Sequence, residues 1–434
     1  MLPDSLPQNL PELRALIDGL DKELVRLLNQ RARVSLAVGA LKKQDNLPIW
    51  QPQREKELLE TLASYTGEAL PPEHLKAIYK EILSSSRALQ QEETVGFLGP
   101  EGTFSHLASK HIFGQSATVT PFSSIARLVT ALQGGKCDYA VIPIENSLYG
   151  TVSESFDELL RHDSVQIVGE HIERIQLAAL SLDATLLSLA SSLTSPSAQS
   201  SSQSPENNPI TVFSHPQPLG QCAKWLQKML PMARVIPVES TAAAALKAAA
   251  TPRSIAIGHE KMGTLNNLPL EVLATNIEDS PNNWTRFFIL QLSPQRQPSQ
   301  PAKVCSAPGD GECLSQSKCL SQSNSLGSAL SSHNKPRNNL PSNYKSTLAF
   351  SVMDTPGSLA HVLTVFAKAK ANLSKLESRP SQTGIWKYVF FADLNCNLHS
   401  PQYQPMLDEL ADYCHDIRIL GVYEASLQKP QTGQ

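Results

Sequence analysis

Two groups of residues in this chain have the types and spacing for chemistry. The first lies near the N-terminus. Apolar residues recur three and four apart at Leu10, Leu13, Ile17, Leu20, Leu24, Leu27, Val34, Val38 and Leu41, and Arg31 stands in that seam where an apolar side chain belongs. A guanidinium withdrawn from water without a partner is costly, so Arg31 needs an ion pair within the fold or an anionic ligand. Lys42 follows 11 residues later. On a helix that is about three turns and roughly 16 Å, with the two side chains within roughly 20° of one face. Arg14 precedes Arg31 by 17 residues, about 25 Å along the axis and pointing elsewhere. It can serve the same site only from a partner chain running antiparallel. Arg54 and Glu55, then Ser86 with Gln90 four positions on, complete a set of cations, one carboxylate and neutral hydrogen-bonding groups. Such a set suits a small dianion. It offers no nucleophile and no metal.

The second group is a series of short motifs: GPEGTFSH (99–106), PIENSLYG (143–150), FSHPQPLGQC (213–222), ESTAAAA (239–245) and NWTRFF (283–288). Most begin where a β-rich run ends, the place where open α/β sheets hold ligands. Alone, His215 reads equally as a structural histidine, Asn146 as a turn former and Thr285 as a strand residue. Gly96, Gly99 and Gly102 are spaced G-x-x-G-x-x-G with Pro100 inside. That is not the dinucleotide fingerprint, and hydride transfer is excluded with it. A turn opening onto a helix N-terminus that faces an anion is the better account. Two further motifs, DTPGSLAHVL (354–363) and LESRP (376–380), read alone as a loop and a strand.

These residues need elements to hold them. Asn9 with Glu12 makes a capping signal, and the apolar seam runs from there to Pro48 as one helix of about 35 residues, roughly 50 Å long. Pro52 opens a second helix, ended by Gly67, and Pro71–Pro72 opens a third. The first is far longer than the others, so part of its seam lacks a partner within one chain, which points to a dimer. From 94 to 292 short β-rich runs (94–99, 139–144, 165–170, 210–214, 234–238, 254–258) alternate with helical stretches, an α/β pattern. Residues 345–426 read strand, helix, strand, strand, helix, strand, the ferredoxin-like βαββαβ order. The stretches 188–209 and 293–344 are rich in Ser, Gln, Pro and Asn. They cannot bury enough apolar surface to offset chain entropy, and are expected to be an inserted loop and a disordered linker.

The chain of 434 residues has a net charge of −3 and no basic stripe, which argues against nucleic acid. No apolar run is long enough for a membrane span, and no signal peptide is evident. Its seven cysteines are scattered, without a Cys-x-x-Cys pair, so neither a disulfide framework nor a zinc site is expected. A cytoplasmic, multidomain metabolic enzyme, α plus α/β plus α+β, is the reading that follows.

At this point three family resemblances enter. Arg14, Arg31, Lys42, Arg54, Glu55, Ser86 and Gln90 resemble the substrate-binding set of the all-helical chorismate mutases, whose three-helix chains intertwine as dimers. The resemblance implies a Claisen rearrangement of chorismate to prephenate, with Arg14 supplied across the interface. Arg14 and Arg31 would clamp the two carboxylates, Lys42 and Gln90 would donate to the ether oxygen, and Glu55 would accept from the hydroxyl. Gln51 stands where some members carry aspartate. PIENS, SHPQP and TRF resemble the prephenate dehydratases, which convert prephenate to phenylpyruvate on a two-lobed α/β domain. The resemblance implies Thr285 as the catalytic threonine and Arg286 as an anion anchor. Glu145, Asn146, Ser214, His215 and Gln217 would complete the pocket, with Ser240 and Thr241 near a carboxylate. The last module is similar to a phenylalanine-binding ACT domain. Its ligand would sit at a dimer interface between Gly357, Ser358 and Leu359 on one side and Glu377, Ser378, Arg379 and Pro380 on the other. No cofactor is implied. The partners implied are chorismate, prephenate, phenylalanine and a second copy of the chain, in a dimer or larger homo-oligomer. Two rivals remain: a regulatory solute-binding protein, and a dehydratase acting on arogenate.

Overall fold

The computed structural model describes residues 6–45, 47–65, 67, 69–188, 209–293, 343–380 and 388–426. The expected low-complexity stretches at 188–209 and 293–344 fall almost wholly outside these residues.

The first module is three helices, α1 (Leu10–Gln44), α2 (Pro52–Ala63) and α3 (Pro72–Gln90). Asn9 caps α1 by accepting from the Glu12 amide at 2.9 Å, as the sequence signal required. Proline stands in the first turn of each helix, where its missing N–H costs nothing. α1 packs on α3. At Gly39 an added Cβ would come within 2.8 Å of the Gln90 Cβ, so a glycine in mid-helix lets the two backbones close. Much of the seam finds no partner in the chain: Ile17, Leu20, Leu24, Leu27, Val34, Val38 and Leu41 are all exposed. After α1, Trp50 is buried against Phe113 and Tyr139 of the next module.

The middle module has two lobes. The first is built on β1 (Thr94–Leu98), α4 (Phe104–Phe113), β2 (Thr118–Phe122), α5 (Ile125–Gln133), β3 (Tyr139–Asn146), β4 (Gly150–Thr151), α6 (Ser153–Arg161) and β5 (Val165–Arg174). The chain then enters the second lobe. This comprises β6 (Ala178–Ser181), β7 (Thr211–Ser214), α7 (Pro216–Gln221), α8 (Ala223–Met229), β8 (Arg234–Pro237), α9 (Thr241–Ala250), β9 (Ser254–Gly258), α10 (Met262–Leu265) and β10 (Glu271–Thr275). It returns to the first lobe as β11 (Trp284–Leu292). The two sheets run β2-β1-β3-β11-β5, with β4 beside β3, and β10-β6-β9-β7-β8. β1, β2 and β3 are parallel, while β11 is antiparallel to both its neighbours.

Strands β2, β4, β6, β10 and β11 lie outside the expected β-rich runs, β11 having entered only through the NWTRFF motif and β4 being two residues long. β2 carries Pro121, which is tolerated because β2 is an edge strand. β6 is short and half alanine, and β10 is a second edge with little apolar alternation.

The last module is β12 (Tyr344–Val352), α11 (Ser358–Lys368), β13 (Leu373–Pro380), β14 (Tyr388–Leu394), α12 (Gln404–Ala411) and β15 (Cys414–Glu424). Its sheet order, β13-β14-β12-β15, is the ferredoxin-like arrangement expected from the element order. The sheet docks on the first lobe. Phe391, Leu420 and Tyr423 join the lobe's own buried cluster, with Phe156 against Phe391. Gly421 passes so close to Ile167 on β5 that any side chain there would collide with the Ile167 carbonyl.

Candidate active sites in the helical and two-lobed modules

In the helical module α1 and α3 bring Arg31 to Ser86 and set Gln90 of α3 against Gly39 of α1. Arg31 donates to the Ser86 hydroxyl across the helix pair, and Ser86 is buried. Lys42 donates to the Ile49 carbonyl at 2.8 Å, and burial pushes its ammonium pKa down. Gln90 lies beside Gly39 with its side-chain oxygen buried and unpaired, one of five such buried side-chain N/O atoms among the described residues. Amide oxygen and nitrogen are interchangeable by a flip, so this group is free to donate or accept toward a ligand. Glu55 on α2 has a fixed partner that sequence did not supply, the buried Arg87 guanidinium. Gln51 is the residue before α2 and its side chain makes no capping bond. Arg54 is exposed, 3.8 Å from Glu57, and Arg14 is exposed one turn into α1. Neither is brought to Arg31 within the chain.

In the two-lobed module Thr285 sits on β11 directly opposite Asn146 on β3 and Glu173 on β5. Directly paired residues share a sheet face, so all three side chains project to one side. The buried Asn146 amide donates to the Thr285 hydroxyl at 3.0 Å and to Asn283 at 2.9 Å. The Asn146 side-chain oxygen accepts from the Leu148 and Tyr149 amides at 3.0 and 3.1 Å. Asn146 is thus a turn former as well, and the turn fixes its amide toward Thr285. Asn283, fully buried, holds Asn146 from the other side; its place in NWTRFF just before β11 was the signal available.

The second lobe contributes from the ends of β7 and from α9. Tyr149 of the first lobe donates to the Gln217 carbonyl at 3.4 Å, so the PIENSLYG and SHPQP motifs meet across the lobes. His215 caps α7 by accepting from the Gln217 amide at 3.3 Å. The buried Ser214 hydroxyl donates to the Ile257 carbonyl at 2.6 Å. Ser240 caps α9 by accepting from the Ala243 amide at 3.0 Å, with the buried Thr241 next to it at the helix start. Such a helix N-terminus offers amides to an anion. The lobes also meet at Gly102, which lies against Asn266, and at Phe104, edge-on to His259.

Two expected pocket residues are not in this group. Arg286 follows Thr285 on the strand and therefore faces the other way. Its guanidinium is taken up by Glu170, Asp393 and the Tyr423 hydroxyl, and lies 4.8 Å from the Phe288 ring. Burial alone would lower its pKa, but Tyr423, Asp393 and Glu170 raise it. Glu145, opposite Arg286, pairs with Lys375 of the last module at 2.8 Å. Both side chains are engaged by the last module here, Arg286 with Asp393 and Glu145 with Lys375. A similar redirection affects the last module. Glu377 accepts from Thr151 at 2.9 Å, and Arg379 donates to Ser153 at 2.8 Å and to Asp157 at 3.2 Å. Ser378 and Pro380 are exposed. Gly357 adopts a left-handed conformation ahead of α11, Ser358 bonds back to Thr355, and Leu359 packs on the module core.

With this geometry in place, three family models match the chain: chorismate mutase type II over 13–91, prephenate dehydratase over 95–295 and the ACT domain over 346–402. A bifunctional chorismate mutase/prephenate dehydratase of Aquifex aeolicus is 34% identical over 97% of this chain and 99% of its own length. One of Pseudomonas aeruginosa is 29% identical over 95% and 97%. A solved structure of prephenate dehydratase from Arthrobacter aurescens, in complex with L-Phe, matches with a TM-score of 0.57. It is 24% identical, covers 78% of this chain and 92% of its own, and speaks to the fold. The extent and order of these matches decide the family: this chain belongs to the bifunctional chorismate mutase/prephenate dehydratases.

Proposed function

We propose that the chain carries out two consecutive reactions, chorismate to prephenate and prephenate to phenylpyruvate, and that phenylalanine regulates the second. The first is a pericyclic rearrangement and needs no covalent help. It needs the compact conformer held and negative charge on the breaking ether oxygen stabilised. Arg31 and the partner's copy of Arg14 clamp the carboxylates, while Lys42 and Gln90 donate to the ether oxygen. Glu55, held by Arg87, accepts from the substrate hydroxyl, and Gln51, Arg54 and Ser86 border it. The exposed apolar seam of α1 supports a homodimer that covers it.

For the second reaction the ring C–CO2 bond breaks, its electron pair forms the aromatic ring, and hydroxide departs with a proton as water. Thr285 donates a hydrogen bond to the departing hydroxyl, with its own oxygen oriented by Asn146. Ser240, Thr241 and the α9 N-terminus take a carboxylate, and Ser214, His215 and Gln217 line the second-lobe wall. Phenylalanine binds between the Gly357–Leu359 turn of one chain and the Glu377–Pro380 edge of another. No membrane-spanning helix is present among the described residues, and we place the enzyme in the cytoplasm.

The observation that carries this reading is the Thr285–Asn146 pair at the lobe junction, in one chain with the Arg31–Ser86 pair between α1 and α3. Chorismate given to the purified chain should yield phenylpyruvate, and phenylalanine should slow the second step. In Thr285→Ala the product should stop at prephenate, at least about a hundredfold slower in dehydration. A wild-type chain that halts at prephenate would sink the dehydratase assignment.

A further inference from the structure

Neither proposed reaction uses the cluster of side chains next to Thr285. His111 on α4 and His171 and Glu173 on β5 converge there. One Glu173 carboxylate oxygen lies 2.8 Å from Nδ1 of His111 and 2.8 Å from Nε2 of His171. One ligand atom from each residue falls within 4.8 Å of the others, and the two rings stand edge to face. β5 places this group by simple alternation: His171 and Glu173 share the sheet face that carries Thr285, and α4 covers that face. All three side chains are partly buried, with His111 the most open at 34% exposure.

We propose that His111, His171 and Glu173 form a mononuclear site for a divalent transition ion of the zinc class, one strand away from Thr285. Two imidazoles and one carboxylate, with an open side toward solvent, are the donor set of three-ligand zinc sites. An ion about 2.1 Å from each donor would hold tetrahedral ligands about 3.4 Å apart, a separation lying between the distances seen here. Calcium and magnesium do not fit. They rely on several oxygen ligands, whereas this group has one carboxylate, with the Lys80 ammonium near enough to feel its charge. The ion would pin the later half of α4 to β5 and, through the β5–β11 pairing, restrain the strand on which Thr285 stands.

The test is calorimetric titration of the chelator-treated full chain with zinc chloride alone. His111→Ala, His171→Ala and Glu173→Gln serve as variants, with circular dichroism and a cooperative melting transition reporting that each is folded. One ion should bind this site per chain, at least about tenfold more weakly in each variant. Thr285→Ala should bind as the wild type does, which separates this site from the dehydratase chemistry. Cobalt in place of zinc should give visible ligand-field bands. The proposal is overturned if folded variants bind zinc as tightly as the wild type, if the wild type binds none, or if cobalt shows only a cysteine-thiolate band.

Discussion

Arg286 and Thr285 are neighbours with opposite duties, and alternation along a strand is the whole reason. Arg286 has four aromatic or acidic groups around it and is only 11% exposed. Its removal strands two buried carboxylates, Glu170 and Asp393, although Lys345 still reaches Glu170 at 2.9 Å. Arg286→Met should therefore destabilise the chain by about 3 kcal/mol. Melting temperature should fall while KM for prephenate stays near wild type. A raised KM with unchanged melting would return Arg286 to the substrate. The rule that separates the two residues was available from the sequence, because side chains two apart share a face and adjacent ones do not. What the sequence withheld was the partner: Asp393 and Tyr423 lie more than a hundred positions away and on another domain. The same holds for Glu377 and Thr151, whereas Glu55 and Arg87 are 32 positions apart on neighbouring helices of one module. Charges read from local motifs identify themselves well and their partners poorly.

At the scale of elements, the joint between α3 and β1 holds a buried carboxyl, Glu93. Burial pushes its pKa up to about 7. Arg87 pulls the other way from 4.0 Å, but it is already committed to Glu55 and the Phe113 carbonyl. In the unfolded chain the carboxyl titrates near 4.5. Between that value and about 7 the folded state keeps a proton that the unfolded state has lost. Stability is thus full below the lower value and falls as pH rises through the window, by up to about 3 kcal/mol. Glu93→Gln should melt higher than wild type at pH 8, with little difference at pH 4; equal melting at both would refute the assignment. Elements themselves were legible where a period and its stop signals agreed. The capped helix α1, the proline-opened α2 and α3 and the βαββαβ order all carry such agreement. The unanticipated strands lacked it, since an edge strand with a proline or an alanine-rich strand has tertiary pairing as its main support. Of the site, Thr285 and Asn146 were legible through their motifs; the His111–His171–Glu173 cluster was not, because its members come from separate elements and no local spacing joins them.

Across the whole molecule the last domain is tied to both others. Lys56 of α2 pairs with Glu424, Lys345 with Glu170, Arg379 with Asp157 and Arg418 with Asp163. With Gly421 seated on β5, these ties would give a ligand of the last domain, proposed above to be phenylalanine, a direct mechanical route to the strands around Thr285. A ligand that favours one docking of this sheet over another would shift activity by its difference in affinity for the two.

The length of α1 carries one more consequence. Its 35 residues place Arg14 and Arg31 too far apart to meet within one chain. In an antiparallel dimer, each mutase site is thus the joint property of two polypeptides. Arg14→Ala and Arg31→Ala chains, each inactive as pure protein, should complement one another when mixed, unfolded and refolded together. Random pairing makes half of the dimers hybrid, and each hybrid has one site that inherits both arginines and one that inherits neither. Mutase activity should then return to about a quarter of the wild-type value. A mixture as inactive as its parents would mean that both arginines act from the same chain.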